Sequence, residues 1–352
     1  MKVAPILRAL SEANWRGVLV HTGQHYDVQM SDAFFRDLGL PSPDHHLGVG
    51  SGTHAEQTAR VMLAFEPILV KERPDWVVVV GDVNSTLACA LVTSKLRMQL
   101  GTRLAHVEAG LRSGDWSMPE EVNRVLTDQL ADLLLLPSED ARGNLVREGI
   151  AETRIAFVGN VMIDTLRQQL PAALAAGTPA RLGVEPGRYV VCTLHRPSNV
   201  DRAETLAPIL EALRRIGRRL PVVLPLHPRT RQNAERFGLS GALDELLVTE
   251  PLGYRDMLSL TAQGRVVLTD SGGLQEETSS LGIPCVTLRQ QTERPVTVTQ
   301  GTNRLAPWPL TVGGIEWACQ DALDRYEISS TVSPIRGWDG CAAQRIVAAL
   351  AM

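Results

Sequence analysis

"RVVLTDSGGLQEE", residues 265–277, joins an apolar run, a polar turn with two glycines and the first turn of a helix. A continuous apolar strand that runs into a glycine turn and a helix is the building unit of a parallel sheet covered on both faces. The glycines permit a tight turn and close approach of backbone to a ligand. The helix start offers unpaired N–H groups and the positive end of its dipole, which together suit an anion. Ser271 adds a hydroxyl beside Gly272 and Gly273, and Glu276 and Glu277 follow. Carboxylates would repel a bare phosphate, but Glu277 lies about one turn in, where it can accept hydrogen bonds from a vicinal diol. The stretch therefore reads as a nucleoside-diphosphate site, with phosphates on the turn and ribose on Glu277. The competing reading is a plain helix start with acidic residues in its first turn. Downstream, "QTERPVTVTQGTN" supplies Arg294 and a second Gly-Thr turn at Gly301 and Thr302, which favours the phosphate ligand.

Outward from this stretch the same alternation fills the chain. Expected strands are "GVLVHT" (17–22), "DWVVVV" (75–80), "RLAHVE" (103–108), "DLLLLP" (132–137) and "RIAFVG" (154–159), then "RYVVCTL" (188–194), "PVVLPL" (221–226), "ELLVTE" (245–250), "RVVLTD" (265–270) and "PCVTLR" (284–289). Amphipathic segments such as "AETLAPILEALRRIG" separate them. Two such sets predict two doubly wound, Rossmann-like α/β domains facing a cleft. The Ala-, Gly- and Pro-rich stretch 172–188 marks the break, so the domains are drawn at 1–170 and 171–339, with a last helix at 340–352 returning to the first. At 352 residues the chain suits two domains of ordinary size.

In such sheets ligands bind beyond the carboxyl ends of the strands. Polar loops collect there: "HTGQHYD", "VGDVNST", "VEAGLRSGD", "LHRPSN", "LHPRTR" and "TDSGGLQEE". The first domain's loops carry acids. Asp82 and Glu108 end buried strands, where an acid without a partner is costly. Glu120 and Glu121 open a helix behind Pro119, and Arg124 lies one turn beyond Glu120, on the same expected face. Glu121 reads as an ordinary first-turn residue. His195 and His227 end strands of the second domain, each ahead of a proline and a basic residue, and are candidates for phosphate or leaving-group contacts.

A net charge of −4 disfavours a nucleic-acid partner. Five scattered cysteines without Cys-x-x-Cys spacing suit a reducing cytosol, with Cys192 and Cys285 as buried hydrophobes inside apolar runs. No apolar run suggests a membrane span, and the default reading is cytoplasmic. No metal motif and no Gly-x-Gly-x-x-Gly for nicotinamide is present, so no cofactor is expected.

Taken in order, "GDVNSTLA", "HVEAGLRS", "MPEEVNR", "LHRPSNVD", "LHPRTR", "LTDSGGLQEE" and "TERP…GTNRL" resemble the non-hydrolysing UDP-N-acetylglucosamine 2-epimerases, from Lys2 to about Leu305, with a closing helix from Cys341. The resemblance implies a fold like the B-type glycosyltransferases, with UDP held mainly by the second domain. It implies conversion of UDP-N-acetylglucosamine to UDP-N-acetylmannosamine for surface-polysaccharide precursors, and a homodimer. It places the acid/base carboxylates on Asp82, Glu108 and Glu120, with Arg124 and His195 beside them. It places nucleotide contacts on Ser271, Gly272, Gly273, Glu277 and Arg294, and Lys2 and His227 are further candidates for substrate or UDP contacts. C2 of the sugar is not next to a carbonyl, so the family eliminates UDP across C1–C2 and adds it back with the proton on the other face. Opposed carboxylates serve the two faces. Which of the three is base and which acid stays open.

Two departures from the family stand out. Its first strand and "Gly-Thr-Arg-Pro-Glu" loop would precede "MKVAPILRAL", which reads as the helix after that loop, so the expectation is either a poorly stable chain or a true start that lies upstream. In some members a Gln-rich turn binds an activating substrate molecule. Gln24 matches it, but Asp27 stands where those members have a second glutamine. Alternatives at this level are a hydrolysing 2-epimerase, a 2-epimerase of a UDP-diacetamido-uronic acid, a sugar-nucleotide binder without turnover, and a glycosyltransferase.

Overall fold

The computed structural model describes residues 1–23, 38–328 and 334–352, without the side chains of 326–328. Gln24 and Asp27 lie outside the described residues. The chain divides into two compact units, Met1–Thr165 with Arg336–Met352, and Leu166–Ile335. The division falls inside the helix Val161–Ala175, ahead of the Ala/Gly/Pro-rich stretch, which itself holds the short helix Thr178–Arg181.

Every expected apolar run contains a strand. In the first unit these are β1 (Val20–His21), β3 (Trp76–Val80), β4 (Arg103–Val107), β5 (Leu133–Leu136) and β6 (Ile155–Phe157). Between them β2 (His45–His46) pairs with β1 in a two-stranded piece, while β3-β4-β5-β6 form a four-stranded sheet. The second unit holds β7 (Val190–Thr193), β8 (Val222–Pro225), β9 (Leu247–Thr249), β10 (Val266–Thr269), β11 (Cys285–Thr287) and β12 (Asn303–Leu305) in the order β12-β11-β10-β7-β8-β9. All these pairings are parallel. The second order is the doubly wound one, with both halves fanning out from β7 and β10. The chain thus has two Rossmann-like α/β domains. β2 and β12 were not foreseen, because a strand of two or three residues without an apolar run leaves no period to read.

Side-chain alternation shows why the strands read as continuous apolar runs. Val190, Cys192, Val222, Leu224, Val266 and Leu268 face one core with Leu206, Leu210 and Leu213 of the helix Ala203–Gly217. Val191, Val223 and Val267 face the other with Leu260 of the helix Tyr254–Gln263. Each such side chain contributes roughly 1.5–3 kcal/mol of burial. Cys192 and Cys285 are buried among them, and burial pushes the Cys285 thiol up to about 12.

In the first unit the helix Ala342–Leu350 packs Ile346, Val347 and Leu350 against Ile6 and Ala9 of the helix Val3–Glu12. Asp164 caps its start, accepting the N–H groups of Ala342 at 3.1 Å and Ala343 at 2.7 Å. The returning segment crosses so closely that a Cβ on Gly159, at φ +89, would meet the Gly337 carbonyl oxygen at 2.0 Å. Only glycine fits there.

Candidate active site

In the first unit the acids gather at the carboxyl ends of β3 and β4. Asp82 follows β3 through Gly81, and Glu108 follows β4 directly. Glu108 takes a left-handed backbone, φ +71, which costs a non-glycine residue roughly 1–3 kcal/mol. Its carboxylate is 4% exposed. One oxygen is ion-paired with Lys2; the other, Oε1, is buried without a hydrogen-bond partner among the described residues. A strained backbone holding a half-satisfied buried carboxylate is the kind of cost a chain carries at a working site.

The helix Pro119–Leu130 supplies the second group, with Pro119 at its first position, where the missing N–H is no loss. Arg124 was expected on the face of Glu120. Instead it is 2% exposed and turns inward to Asp82 and to Glu121, whose Oε2 accepts its Nη2–H at 2.6 Å and Nε–H at 3.0 Å. Burial decides this: a guanidinium out of water needs partners that are also buried, and Glu121 is 1% exposed. Glu120 is half-buried, without an ion pair among the described residues. Glu121 also accepts the N–H of Ser113 at 3.0 Å and of Gly114 at 2.8 Å. Burial opposes its charge, but those amides and Arg124 outweigh it and hold the carboxyl below its usual range. Read as a plain first-turn residue, Glu121 is in fact the brace of the 113–114 loop. Asn123 donates to the Asp82 carbonyl at 2.9 Å and fixes the turn from the other side.

Beneath these loops lies an ion chain that sequence reading missed. His106 of β4 is fully buried. Its Nδ1 meets Asp128 Oδ1 at 2.6 Å and its Nε2 meets the Gly81 carbonyl at 2.8 Å. Asp128 also accepts the Gly110 N–H at 3.0 Å and pairs with Arg112 at 2.8 Å. The signal was present in "HVEAGLRS", but a histidine inside a strand reads as core until its partners are seen.

In the second unit the quoted stretch folds as expected: β10 ends at Thr269 and the helix Gly272–Leu281 starts behind Ser271. Asp270, between them, is fully buried. It accepts the N–H groups of His195 at 3.0 Å and Arg196 at 2.9 Å and lies 2.8 Å from His195 Nδ1. Burial opposes its charge; His195 and the two amides prevail and depress its pKa. Asp270 therefore ties the loop after β7 to the glycine turn and fixes which His195 nitrogen points outward. His227 stands 6.0 Å from His195, ring to ring. Its Nδ1 accepts the Arg229 N–H at 3.2 Å, so the free proton sits on Nε2. Burial, then the neighbouring His195, lower its pKa.

Arg294 is 7% exposed and packs behind the turn, 2.9 Å from Glu276 and 2.7 Å from Glu293. A Cβ on Gly272 would lie 2.6 Å from Arg294 Nη1. Any larger residue would press on the ion-paired Arg294 and Glu293 side chains. Gly301 serves packing in the same way: a Cβ there would meet Ser279 Oγ at 2.4 Å and the Thr297 carbonyl at 2.6 Å. Glu277 is 4% exposed beside Tyr254 and Glu276, and burial above all raises its pKa to about 7.

Two Rossmann-like units, one with acids at its strand ends and one with a glycine turn at a helix start, define an α/β enzyme of sugar-nucleotide type. The family model of the UDP-N-acetylglucosamine 2-epimerases matches residues 8–351, and the chain belongs to that family. It is 44% identical over 313 residues to the UDP-N-acetylglucosamine 2-epimerase of Methanocaldococcus jannaschii, spanning 87% of this chain and 84% of that one. It is 46% identical over 291 residues to the UDP-2,3-diacetamido-2,3-dideoxy-D-glucuronate 2-epimerase of Pseudomonas aeruginosa, spanning 82% and 79%. The crystal structure of the M. jannaschii UDP-GlcNAc 2-epimerase in complex with UDP-GlcNAc and UDP superposes with a TM-score of 0.89 at 41% identity, covering 99% of this chain and 96% of that one.

Proposed function

We propose that this epimerase interconverts UDP-N-acetylglucosamine and UDP-N-acetylmannosamine by eliminating and re-adding UDP. A carboxylate removes the C2 proton, the C2–H electron pair becomes the C1=C2 double bond, and the C1–O bond breaks to release UDP beside a 2-acetamidoglucal. Re-addition of UDP at C1, with a proton delivered to the opposite face of C2, completes the exchange. The observation that carries this reading is Glu108, a buried and strained carboxylate with one oxygen uncommitted. It handles the proton on one face; Asp82 and Glu120 are the candidates for the other. Such groups contribute roughly 10²–10⁴-fold each. Arg124 orients Asp82, and Lys2 orients Glu108. The second unit holds UDP: diphosphate on Ser271, Gly272 and Gly273 at the helix start, ribose on Glu277, with His195 and His227 towards the leaving phosphate. Arg294 supports the turn from behind rather than through an open side chain.

The decisive experiment is incubation with UDP-N-acetylglucosamine in deuterium oxide. UDP-N-acetylmannosamine carrying deuterium at C2 is the expected product. Free N-acetylmannosamine would indicate a hydrolysing enzyme, and retention of hydrogen at C2 would refute the elimination route. The P. aeruginosa relative gives one specific second reading, a 2-epimerase of a UDP-diacetamido-uronic acid, and running both sugars side by side separates the two. The chain works in the cytoplasm, in polysaccharide precursor synthesis, as a homodimer. Exposed Leu63 and Val70 of the helix His54–Glu72 and Met98 of the neighbouring Asn84–Leu100, 75%, 45% and 91% exposed, support a contact there. Light scattering at twice the chain mass is the check.

A further inference from the structure

The fully buried His106 touches no solvent, and its two ring nitrogens meet two acceptors. A carbonyl oxygen can only accept, so Nε2 carries a proton towards Gly81. Asp128, which also takes the Gly110 N–H and the Arg112 guanidinium, accepts as a carboxylate, so Nδ1 carries a proton as well. Both nitrogens donate: the ring is an imidazolium inside the protein. Burial works against that charge, and Asp128 first, then the Gly81 carbonyl and the nearby Glu108, reverse the balance and raise the pKa. Arg112 is itself paired with Glu148 at 2.7 Å, so the chain Glu148–Arg112–Asp128–His106 is balanced in charge.

The chain reaches every segment that carries a proposed acid. Gly81 precedes Asp82, His106 sits two residues before Glu108 on β4, and Asp128 lies on the helix that presents Glu120 and Arg124. Gly81 itself has φ +75, with Lys2 Nζ and Glu108 Oε2 at 3.3 and 3.6 Å from where its Cβ would be. A small rotation of that peptide would press on the Lys2–Glu108 ion pair and turn Asp82, next in the chain, against Arg124. We propose that His106 is a positioning residue: its doubly protonated ring clamps the Gly81 peptide to the helix through Asp128 and so sets Asp82 against Glu108. This inference rests on the carboxylate chemistry proposed above. The ionisable groups facing the ring are Asp128 from the helix and Glu108 from its own strand, with Arg112 and Lys2 one contact further.

The test uses the whole chain with UDP-N-acetylglucosamine. His106→Ala should lower kcat by about 100-fold, the effect of misplacing reacting groups by about 1 Å, with UDP affinity unchanged. His106→Gln, which keeps an N–H towards Gly81, should recover most of that loss and fold where the alanine variant does not. Asp128→Asn removes the counter-charge, so the alkaline fall of kcat should move down by about one to three pH units, with KM flat. A passive packing role would lower activity equally at all pH values. Wild-type kcat in folded His106→Ala, no recovery in His106→Gln, or an unmoved alkaline limb in Asp128→Asn would each overturn the inference. If wild-type enzyme incorporates no deuterium at C2, the reading of function has failed instead.

Discussion

Glu108 and Glu277 are both 4% exposed and both follow an apolar strand, yet the two units treat them in opposite ways. Among the described residues of the first unit, buried Glu108 meets Lys2, buried Glu121 meets Arg124 and buried Asp128 meets His106 and Arg112, while half-buried Asp82 shares Arg124. In the second, Glu277 has Tyr254 and a second acid, Glu276, and burial raises its pKa to about 7. On the proposed function, the paired acids would hold geometry for proton transfer, and Glu277, which faces Tyr254 and another acid, would receive a ligand that donates to it. The difference teaches that burial alone does not assign a role; the neighbours do.

The sharpest way to break this contrast is to remove one acid from each unit. Glu108→Gln should lower kcat by roughly 10²–10⁴-fold and leave UDP affinity, by calorimetry, as it was. Glu277→Ala should chiefly weaken UDP, by roughly 1.5–3 kcal/mol, the value of a hydrogen bond to a charged group. Equal loss of UDP binding in both variants would end the division of labour.

A smaller effect follows at the glycine turn. Gly272→Ala places a Cβ 2.6 Å from Arg294 and 2.9 Å from Glu293, so the buried arginine must shift and the turn with it. UDP affinity should drop by about tenfold, equivalent to about 1.4 kcal/mol. Wild-type affinity would show that the turn does not hold the phosphates.

The pH dependence sharpens the contrast further. A carboxyl titrating at about 7 accepts both hydroxyls of a ribose diol, and more strongly, once ionised, so UDP affinity should rise through about pH 7 and binding should release a proton below it. Glu277→Gln should abolish that rise. The folding signs are opposite for the two acids of this unit. Glu277 has a raised pKa, so its contribution is full at low pH and is lost as pH rises through about 7. Asp270 has a depressed pKa, so its contribution is present above the unfolded value of about 3.9 and is lost as pH falls below it. Thermal melts of wild type, Glu277→Gln and Asp270→Asn across pH should separate the two, and parallel curves would contradict both assignments. The smallest change concerns the closing helix: Asp164→Ala removes its cap and should cost about 1 kcal/mol in urea unfolding, with turnover unaffected.

Much of this protein was legible in residue order. Apolar runs with a covered sheet's pattern located β1, β3 to β11 and the two-domain plan, because a strand buried on both faces must be apolar throughout. Asp82, Glu108 and the Ser271–Gly273 turn stood out because acids and glycines at strand ends have few other reasons to be there. What the sequence could not decide was partnership. Arg124 chose Glu121 and Asp82 over its one-turn neighbour Glu120, His106 became a doubly protonated clamp, and Asp270 locked His195. Arg294 went behind the glycine turn. Each of these depends on which groups are brought together out of water, where an unpaired charge costs several kcal/mol. Local spacing sets what can be near; burial in the folded sheet ends sets which pairs must form.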